Sequence, residues 1–409
     1  MKAYTHLKIP IALTVILIAL CFLLSSEAVS ETRDKPLPRL GVWITVFSPE
    51  KVLYTEENAD KLIETCQFAG IKDIYLQVYR ADKAYYDSKI TDASAYERML
   101  ASSGGRDMIE YLLSRTEETG IKVHAWLNML SIAHNEDANI VKKFGKSVLT
   151  IDQYGRTPLR KNDRDELDKY YIRENQLFLE PGDPRVREYI SSIVGEVAGR
   201  YPGLDGIHMD YIRYPSAVPS IPGSRFSSHG ISYGYGEKNL EAFKDSTGLD
   251  PRTMKPLRSN YYKWDEWRRD RVSLLVKKAA EAAESSSPGI QVSCTIVPSV
   301  DRTYLDTFQD WTTWLKERTA DNIILMNYTD DTRYMVLRSE AMSLPGLEDR
   351  VMTGLGAYLL KDDLPTLKDQ ITKIKGTDTP GIVLFSYDEV ASNEELRGFL
   401  RKHFFVEGY

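Results

Sequence analysis

Along most of the chain, segments with the hydrophobic pattern of β-strands alternate with segments whose apolar residues recur at helical spacing. From about residue 39, short runs rich in β-branched and aromatic residues alternate with stretches whose apolar residues recur at helical spacing. The runs predict strands at 40–47, 73–79, 122–128, 204–210, 290–297, 322–328, 351–358 and 381–387. The amphipathic stretches predict helices at 56–69, 107–119, 184–200, 262–285, 309–318, 332–343, 363–375 and 393–403.

Eight strands alternating with eight helices predict an α/β fold of the (β/α)8 TIM barrel type. A doubly wound open sheet is the alternative, but no GxGxxG motif follows any predicted strand. Long connections follow the second, third and fourth strands, at 80–106, 129–183 and 211–261. All three come after the carboxyl ends of strands, where such barrels build their functional sites. The segment 215–236, rich in Pro, Ser, Gly and Tyr, is either a lid over the barrel mouth or a surface excursion.

The fourth predicted strand, "LDGIHMD", carries the clearest candidate chemistry. Strand alternation sends Ile207 and Met209 toward the helices and His208 and Asp210 into the barrel, with Asp210 at the carboxyl rim. An inward histidine is commonly a hydrogen-bonded core residue, and an aspartate after a strand can simply turn the chain. For Asp210 we favour a functional role. Burying a carboxylate costs free energy, and a place in the functional site at this rim would explain why that cost is tolerated.

The third predicted strand repeats this arrangement. Its alternation directs His124, Trp126 and Asn128 into the barrel. The apolar residues between them face the helices. Two neighbouring strands therefore deliver polar and aromatic groups to the same mouth.

Several blocks of the sequence resemble one family. They are "RLGVWITVF" near the start, "AWLN" on the third strand, "EPGDPRVREYI" at the third helix, "GIHMDYIRYP" on the fourth strand and "FQDWTTWLKERTADNIILMNYT" leading through the sixth. Together and in this order they resemble the glycosyl hydrolase-like 10 family, formerly a domain of unknown function. The resemblance spans residues 39 to about 390. It implies an exported (β/α)8 glycosidase-like domain that acts on polysaccharide or on the glycan strands of peptidoglycan.

The sequence departs from the family pattern at two places. Many members carry a second acid directly after the aspartate of the fourth strand, where this chain has Tyr211. Members also carry an arginine and an aspartate in the loop after the second strand, where this chain has Tyr79 and Lys83. These departures leave the identity of the acid and base open.

Glycoside hydrolysis usually needs two carboxyl groups, one neutral to protonate the leaving oxygen and one ionised to act as nucleophile or base. Asp210 is the first candidate. Glu180, Asp330 and Asp388 follow as candidates for the second, with Glu180 ranked slightly above Asp330. Their neighbours Asp183 and Asp331 are predicted helix N-caps, which leaves Glu180 and Asp330 freer for other work. Whether the reaction retains or inverts configuration depends on a carboxyl separation that the sequence does not give.

Aromatic and polar residues on or just after the predicted strands form the expected substrate-binding set. Aromatic faces stack on sugar rings, and amide and guanidinium groups bind sugar hydroxyls or carboxylates. The aromatic members are Trp43, Trp126, Tyr214, Tyr328 and Tyr387. The polar members are Arg80, Asn128, His208, Arg213 and Asn327.

The N-terminus has the pattern of an export signal. Two lysines precede an uncharged apolar run at 9–24, and small residues at Ser26 and Ala28 suit a signal peptidase. We therefore predict a signal peptide at 1–28, a linker at 29–38 and the barrel at 39–409, with the protein periplasmic or extracellular. If residues 9–24 stay uncleaved, the segment anchors the protein to the membrane.

Charge and composition limit the classes of partner and cofactor that the protein is expected to bind. A formal net charge of -6 with no long basic run argues against nucleic-acid binding. Cys66 and Cys294 have no metal-like spacing and are expected to be buried thiols. A divalent ion held by His124, His208 and Asp210 is a weaker alternative, since the first strand lacks an H-x-H pair, so we expect no metal and no cofactor. The non-enzymatic alternative is a glycan-binding barrel of the cell envelope that has lost an acid. Nothing in the sequence specifies an oligomeric state.

Overall fold

The computed structural model describes residues 36–159, 174–216 and 231–405. The chain from Pro38 onward is one compact unit. The predicted signal peptide, most of the predicted linker and most of the segment 215–236 lie outside the described residues. Within the described ranges, no helix has both the length and the apolar character needed to cross a membrane.

Eight parallel strands form a closed barrel. The first strand, β1, pairs in parallel with both β2 and β11, and this double pairing closes the sheet. The barrel strands are β1 (Arg39–Ile44), β2 (Asp73–Arg80), β4 (Lys122–Asn128), β7 (Gly206–Asp210), β8 (Gln291–Ile296), β9 (Asn322–Met326), β10 (Val351–Leu355) and β11 (Gly381–Leu384). Short strands in the connections are β3 (Lys83–Ala84), β5 (Ser131–Ala133) and β6 (Leu177–Phe178). The predicted (β/α)8 fold is confirmed.

Helices connect successive barrel strands. They are α1 (Glu56–Ala69), α2 (Ser94–Ser102), α3 (Met108–Thr116), α4 (Asn139–Phe144), α5 (Pro184–Arg200), α6 (Glu237–Thr247), α7 (Arg258–Ser286), α8 (Val300–Leu305), α9 (Trp311–Lys316), α10 (Thr332–Met342), α11 (Leu364–Lys375), α12 (Tyr387–Ser392) and α13 (Glu394–Phe404). Single 3-10 turns occur at Lys146–Val148, Glu348–Arg350 and Ala357–Leu360. The long connection after β2 contains β3 and α2. The connection after β4 contains β5, α4 and β6, and the connection after β7 contains α6.

Side-chain caps explain where the predicted helices begin. Asp183 accepts a hydrogen bond from the backbone N–H of Arg185 at 2.9 Å, and Pro184 occupies the first helical position, where a missing N–H costs nothing. Asp331 accepts from the backbone N–H of Tyr334 at 2.9 Å. Both predicted N-caps are confirmed.

The core has two layers. Between strands and helices lies an aliphatic layer that includes Ile207 and Met209, both fully buried, as the strand alternation predicts. Inside the barrel a second cluster joins Trp43, Tyr75, Trp126, Ile324, Met352 and Val383, with Tyr328 and Phe385 packed on it. The barrel interior is therefore a mainly aromatic core that is closed by side chains.

Several strands end earlier than the sequence pattern predicts. The ninth and eleventh strands end at Met326 and Leu384, before the predicted ends at 328 and 387. After Leu384 the chain turns into α12, where Ser386 and Glu389 form a capping box. The inward and outward alternation of a strand no longer applies beyond these ends, which changes where the following side chains lie.

Candidate active site

Asp210 is the last residue of β7 and lies at the carboxyl rim of the barrel. Its side chain points inward, and the residue is only 5% exposed. One carboxylate oxygen, Oδ1, accepts hydrogen bonds from the Thr295 hydroxyl at 2.6 Å and from the backbone N–H of Tyr211 at 2.7 Å. The other, Oδ2, accepts from the indole N–H of Trp126 at 3.1 Å. Three strand ends, those of β4, β7 and β8, thus fix the position of this carboxyl group.

The environment of Asp210 favours retention of its proton. Burial raises the pKa of the Asp210 carboxyl. The hydrogen bonds from Thr295, Tyr211 and Trp126 and the positive charge of Arg213 oppose this effect without cancelling it. A carboxyl with a raised pKa has the property required of a general acid.

Glu174 enters the same neighbourhood from the connection after β4. Its Oε1 lies 2.8 Å from Nη2 of Arg213, which in turn packs over the ring of Tyr211 at 4.9 Å. The Arg213 charge acts on both Glu174 and Asp210. Glu174 was not among the predicted site residues, because it lies in an acid-rich insertion where no local pattern distinguishes one carboxylate from another.

Aromatic rings form a platform at the mouth. Tyr328 and Phe385 stack with centroids 5.6 Å apart and an interplanar angle of 15°. Tyr358 contacts both rings edge-on and is 41% exposed, while Trp126 meets Phe385 edge-on at 6.3 Å. Phe385 and Tyr358 were not singled out in the sequence, although both lie within predicted strands, at 381–387 and 351–358. Flat apolar faces of this kind suit the apolar face of a sugar ring.

Trp43 and His208 lie inside the barrel, beneath the mouth. The Trp43 indole N–H donates to Nε2 of His208 at 2.9 Å. An indole is only a donor, so Nε2 is unprotonated and Nδ1 carries the hydrogen toward the Ser293 hydroxyl at 2.8 Å. Burial, with the nearby His124, lowers the pKa of His208 well below its usual value. His208 is therefore a neutral core residue whose two ring nitrogens are both engaged.

Other inward residues support the site from the sides. Asn128, predicted to bind substrate, accepts a hydrogen bond from the Gln77 amide at 3.0 Å and is adjacent to Asp210 in the parallel register. Arg80, at the end of β2, is partly exposed and packs its guanidinium over Phe47 at 4.7 Å. Neither Gln77 nor Phe47 was among the predicted site residues.

The structure does not bring Glu180 together with Asp210. Glu180 is fully buried and accepts hydrogen bonds from Thr150 at 2.8 Å and Tyr214 at 2.6 Å. The backbone N–H groups of Gly182 and Gly236 donate to it at 3.1 and 3.4 Å. Burial raises the pKa of Glu180, and all four donors come from the connections after β4 and β7. This carboxyl group is positioned to hold those connections together.

Besides Trp43 and His208, which lie beneath the mouth, three further residues of the predicted substrate-binding set do not lie at the mouth, which corrects their assignment. Tyr214 is fully buried with its hydroxyl directed at Glu180. The Asn327 amide donates to α10, to the backbone oxygen of Met335 at 2.7 Å and the hydroxyl of Ser339 at 2.8 Å. Tyr387 begins α12, is 1% exposed and is hydrogen-bonded toward Thr65 of α1. The latter two follow strands that end before their predicted ends, and their side chains bond to α10 and α1 instead.

The remaining candidate acids lie on the rim itself. Asp330 is exposed and follows Tyr328 by two residues. Asp388 accepts a hydrogen bond from the Ser48 hydroxyl at 2.5 Å. For a metal ion, the described residues contain no group of three or more histidine, cysteine, aspartate or glutamate side chains arranged to hold one.

Comparison with known proteins relates the chain to glycosidases. Glycosyl hydrolase DigH of Escherichia coli K12 is 25% identical over 285 residues, which are 65% of this chain and 56% of DigH. Glycosyl hydrolase YngK of Bacillus subtilis 168 is 26% identical over 56% of this chain and 38% of YngK. The chain thus spans about half the length of DigH and less of YngK.

Solved structures share the fold. The glycoside hydrolase domain of PgaB (BpsB) from Bordetella bronchiseptica superposes with a TM-score of 0.60 at 15% identity, covering 91% of this chain and 100% of that domain. The catalytic domain of β-amylase from Paenibacillus polymyxa gives a TM-score of 0.54 at 12% identity, covering 89% and 97%.

Family membership follows from the sequence model. The model described as glycosyl hydrolase-like 10 matches residues 39–342, well over half of the chain. Both this family and the curated relatives DigH and YngK carry the name glycosyl hydrolase. The chain belongs to the glycosyl hydrolase-like 10 family.

Proposed function

We propose that the protein is an exported glycoside hydrolase that cleaves glycosidic bonds in a polysaccharide or a peptidoglycan glycan strand with two carboxyl groups. The observation that carries the proposal is Asp210, a buried carboxyl with a raised pKa at the barrel rim, beside an aromatic platform. Membership of the glycosyl hydrolase-like 10 family supports the same chemistry.

In this proposal Asp210 is the proton donor. Its Oδ1 already accepts two hydrogen bonds, whereas Oδ2 accepts one from Trp126, so Oδ2 is the oxygen that carries the proton. Transfer of that proton to the glycosidic oxygen breaks the bond to the leaving sugar as positive charge develops on the other ring. The aromatic platform formed by Tyr328, Phe385 and Tyr358 holds a sugar ring beside it.

Three residues are compared as candidates for the second carboxyl group of the reaction. Glu180 has every hydrogen bond directed into the chain and no exposed surface, which argues against contact with substrate. Asp330 is exposed and follows Tyr328 of the aromatic platform by two residues, so we now rank it above Glu180. Glu174 joins them because Arg213 links it electrostatically to Asp210.

The cellular site is part of the proposal. The charged start, the apolar run at 9–24 and the small residues before position 29 support export by a signal peptide. An exported enzyme of this type meets glycans of the cell envelope or of the surroundings. An uncleaved segment 9–24 places the same barrel at the membrane surface instead.

Product release by mass spectrometry tests the function. Residues 29–409 and an Asp210→Asn variant are incubated with purified peptidoglycan and with a panel of exported polysaccharides. We expect new reducing-end fragments from one glycan with the parent protein and none with the variant. Binding of a glycan by both proteins without any fragment would favour the alternative, a glycan-binding barrel that has lost catalysis.

A further inference from the structure

One sector of the barrel mouth combines cations with one exposed aromatic ring, Phe47, and two partly buried ones, Tyr54 and Tyr85. We call it the β1–β2 rim, because its residues follow or flank the carboxyl ends of those two strands. It comprises Phe47, Lys51, Tyr54, Arg80, Tyr85 and Arg98. The whole chain has a formal net charge of -6, so the sign of the charge at this rim is opposite to that of the protein as a whole.

Arg80 and Phe47 are the centre of the β1–β2 rim. Phe47 is 65% exposed, and the Arg80 guanidinium lies over its ring at 4.7 Å from the centroid. A guanidinium stacked by its face keeps its N–H groups at the edge free for planar ligands. Lys51 similarly lies 5.9 Å from the centre of the Tyr54 ring.

Tyr85 connects these pairs to Arg98. Burial raises the pKa of Tyr85, while the charges of Arg80 and Arg98 lower it and that of Asp92 raises it. Among the described residues, no carboxylate forms an ion pair with Arg80, Arg98 or Lys51.

The nearby acids have other partners. Asp92 lies 4.0 Å from Lys83 and accepts from the backbone N–H of Ser94 at 3.0 Å. Glu50 pairs with Lys61 at 3.0 Å. The charge of Arg98 also acts on Asp92 and helps to lower its pKa. Arg80 and Lys51 therefore supply the positive charge of the β1–β2 rim that no described carboxylate pairs with.

The β1–β2 rim is close enough to Asp210 to contact the same glycan. Arg80 ends β2, Asp210 ends β7, and only β4 lies between the two strands. Two spacings of ~4.8 Å separate the strand ends by roughly 10 Å. A sugar chain bound across the mouth at Asp210 would extend over Phe47 and Arg80.

We propose that the β1–β2 rim is a subsite for a carboxylate-bearing glycan, in which Phe47 stacks on a sugar ring and Arg80 binds the carboxylate of that sugar or its neighbour. This inference rests on the proposed function and narrows its substrate class to anionic glycans. Arg80 determines specificity here and takes no part in bond cleavage.

Binding to matched glycans tests this subsite without requiring turnover. Titration calorimetry is performed on the Asp210→Asn protein with two anionic glycans, polygalacturonate and peptidoglycan strands freed of stem peptides. Each is compared with the same glycan after chemical reduction of its carboxylates to alcohols. We expect at least one anionic form to bind more tightly than its reduced form by roughly fivefold, the size of a partly exposed charge pair.

Substitutions assign that preference to the rim. Arg80→Met should abolish the difference between the two forms, and Phe47→Ala should weaken binding of both. Arg401→Met is the matched control, because Arg401 also packs over an exposed ring, that of Phe68 at 4.8 Å, at the end of α1. This control should keep the full preference.

The outcomes separate the subsite from the catalytic proposal. Equal binding of both forms of each glycan, lack of binding to either anionic glycan, or a preference that survives Arg80→Met would overturn the subsite, whether or not the enzyme cleaves glycans. A preference lost only in Arg80→Met supports it even if the parent protein releases no product, in which case the proposed hydrolysis alone fails. Circular dichroism of each variant confirms that it is folded.

Discussion

At the scale of single residues, the surroundings of Asp210 determine what its carboxyl group can do. Thr295 comes from β8 and donates to Oδ1 at 2.6 Å, which favours the ionised form of Asp210. The sequence contained this signal, because alternation in "IQVSCTIV" directs Ser293 and Thr295 inward together. Polar residues on inward strand positions are thus readable from the sequence even when their partner is not.

Replacing Thr295 by valine tests the assigned protonation state. The change keeps the side-chain shape and removes the donor, so the already raised pKa of Asp210 should rise further. A general acid loses activity as pH rises through its pKa, so the alkaline limb of kcat/KM should move to higher pH by roughly one unit. Ser293→Ala, which touches His208 instead, should leave that limb in place. A limb that moves to lower pH would contradict the assignment of Asp210 as acid.

Glu180 gives a second residue-scale prediction. In Glu180→Gln an amide NH₂ replaces one acceptor oxygen and faces the backbone N–H of Gly182 or Gly236. The free energy of unfolding should fall by about 2 kcal/mol, because two buried donors then oppose each other. Urea unfolding together with kcat measures both effects. A variant that is as stable as the parent but has no turnover would indicate that Glu180 takes part in catalysis.

Residues just beyond strand ends show where sequence reasoning stops. Trp126 and Asp210 lie within regular strands, and the inward direction predicted for both is observed. Asn327 and Tyr387 follow strands that end two to three residues before their predicted ends, so they do not bind at the mouth as predicted. Glu174 needed the three-dimensional path of an insertion to reach Arg213. Periodicity defines faces of regular elements and carries no information about turns.

At the scale of elements, the barrel strands approach each other through glycines. Gly354 on β10 faces Trp43, and a Cβ there would lie 2.5 Å from the indole ring and 2.7 Å from the backbone oxygen of Leu325. The close packing of β9, β10 and the inner aromatic core therefore depends on the missing side chain.

Gly354→Ala should displace Trp43 and disturb its hydrogen bond to His208. We expect the free energy of unfolding to fall by about 2 kcal/mol or more, the usual cost of overpacking a core. Gly398→Ala is the matched control, since Gly398 lies in α13 with open space around it and alanine favours helices by about 0.5–1 kcal/mol. Urea titration of both variants should show opposite signs. Equal stability of Gly354→Ala and the parent would contradict this packing.

Tyr211 is the element-scale feature that the sequence did not indicate. It directly follows β7 with a φ of +52°, a left-handed conformation that tyrosine rarely adopts. This turn directs its N–H to the Asp210 carboxylate at 2.7 Å and its ring toward Phe178 at 5.8 Å. The resemblance showed only that the residue type departs from the family, whereas the structure gives its position in the turn.

At the scale of the whole molecule, the two ends of the barrel have different roles. At the amino end, Arg39 of β1 pairs with Asp73 of β2 at 2.8 Å, and His124 of β4 lies 3.1 Å from the same carboxylate. Burial opposes ionisation of Asp73, but hydrogen bonds from His124 and Arg39 outweigh it and lower its pKa. These contacts join three neighbouring strands where β1 closes the barrel.

Asp73→Asn separates stability from chemistry. Loss of the charge leaves Arg39 without its partner, so the free energy of unfolding at neutral pH should fall by about 2 kcal/mol. The folded pKa of Asp73 is lowered, so the stability it contributes is lost as pH falls through that pKa, and the difference between parent and variant should shrink in acid. At temperatures where both are folded, kcat/KM should be equal. A large loss of kcat/KM in a stable variant would contradict this division.

The fold could be predicted from the count of alternating elements, because each of the eight strands has its own hydrophobic run and most helices are amphipathic. The short elements within the insertions were not predicted, since two- and three-residue strands such as β3, β5 and β6 leave no periodic pattern. The mouth depends on these insertions for Glu174, Arg213 and two members of the β1–β2 rim, Tyr85 and Arg98. The barrel was therefore more predictable from the sequence than the set of side chains at its mouth.

The most direct test of the central claim is the release of reducing ends from a cleaved glycan by the parent protein, Asp210→Asn and Asp349→Asn. Asp349 is exposed near the amino end of β10 and undergoes the same change of charge far from the mouth. We predict that the parent and Asp349→Asn release product at equal rates and that Asp210→Asn loses it by a hundredfold or more, on the order of a general acid's contribution. Equal rates for all three proteins would contradict the assignment of Asp210 to bond cleavage.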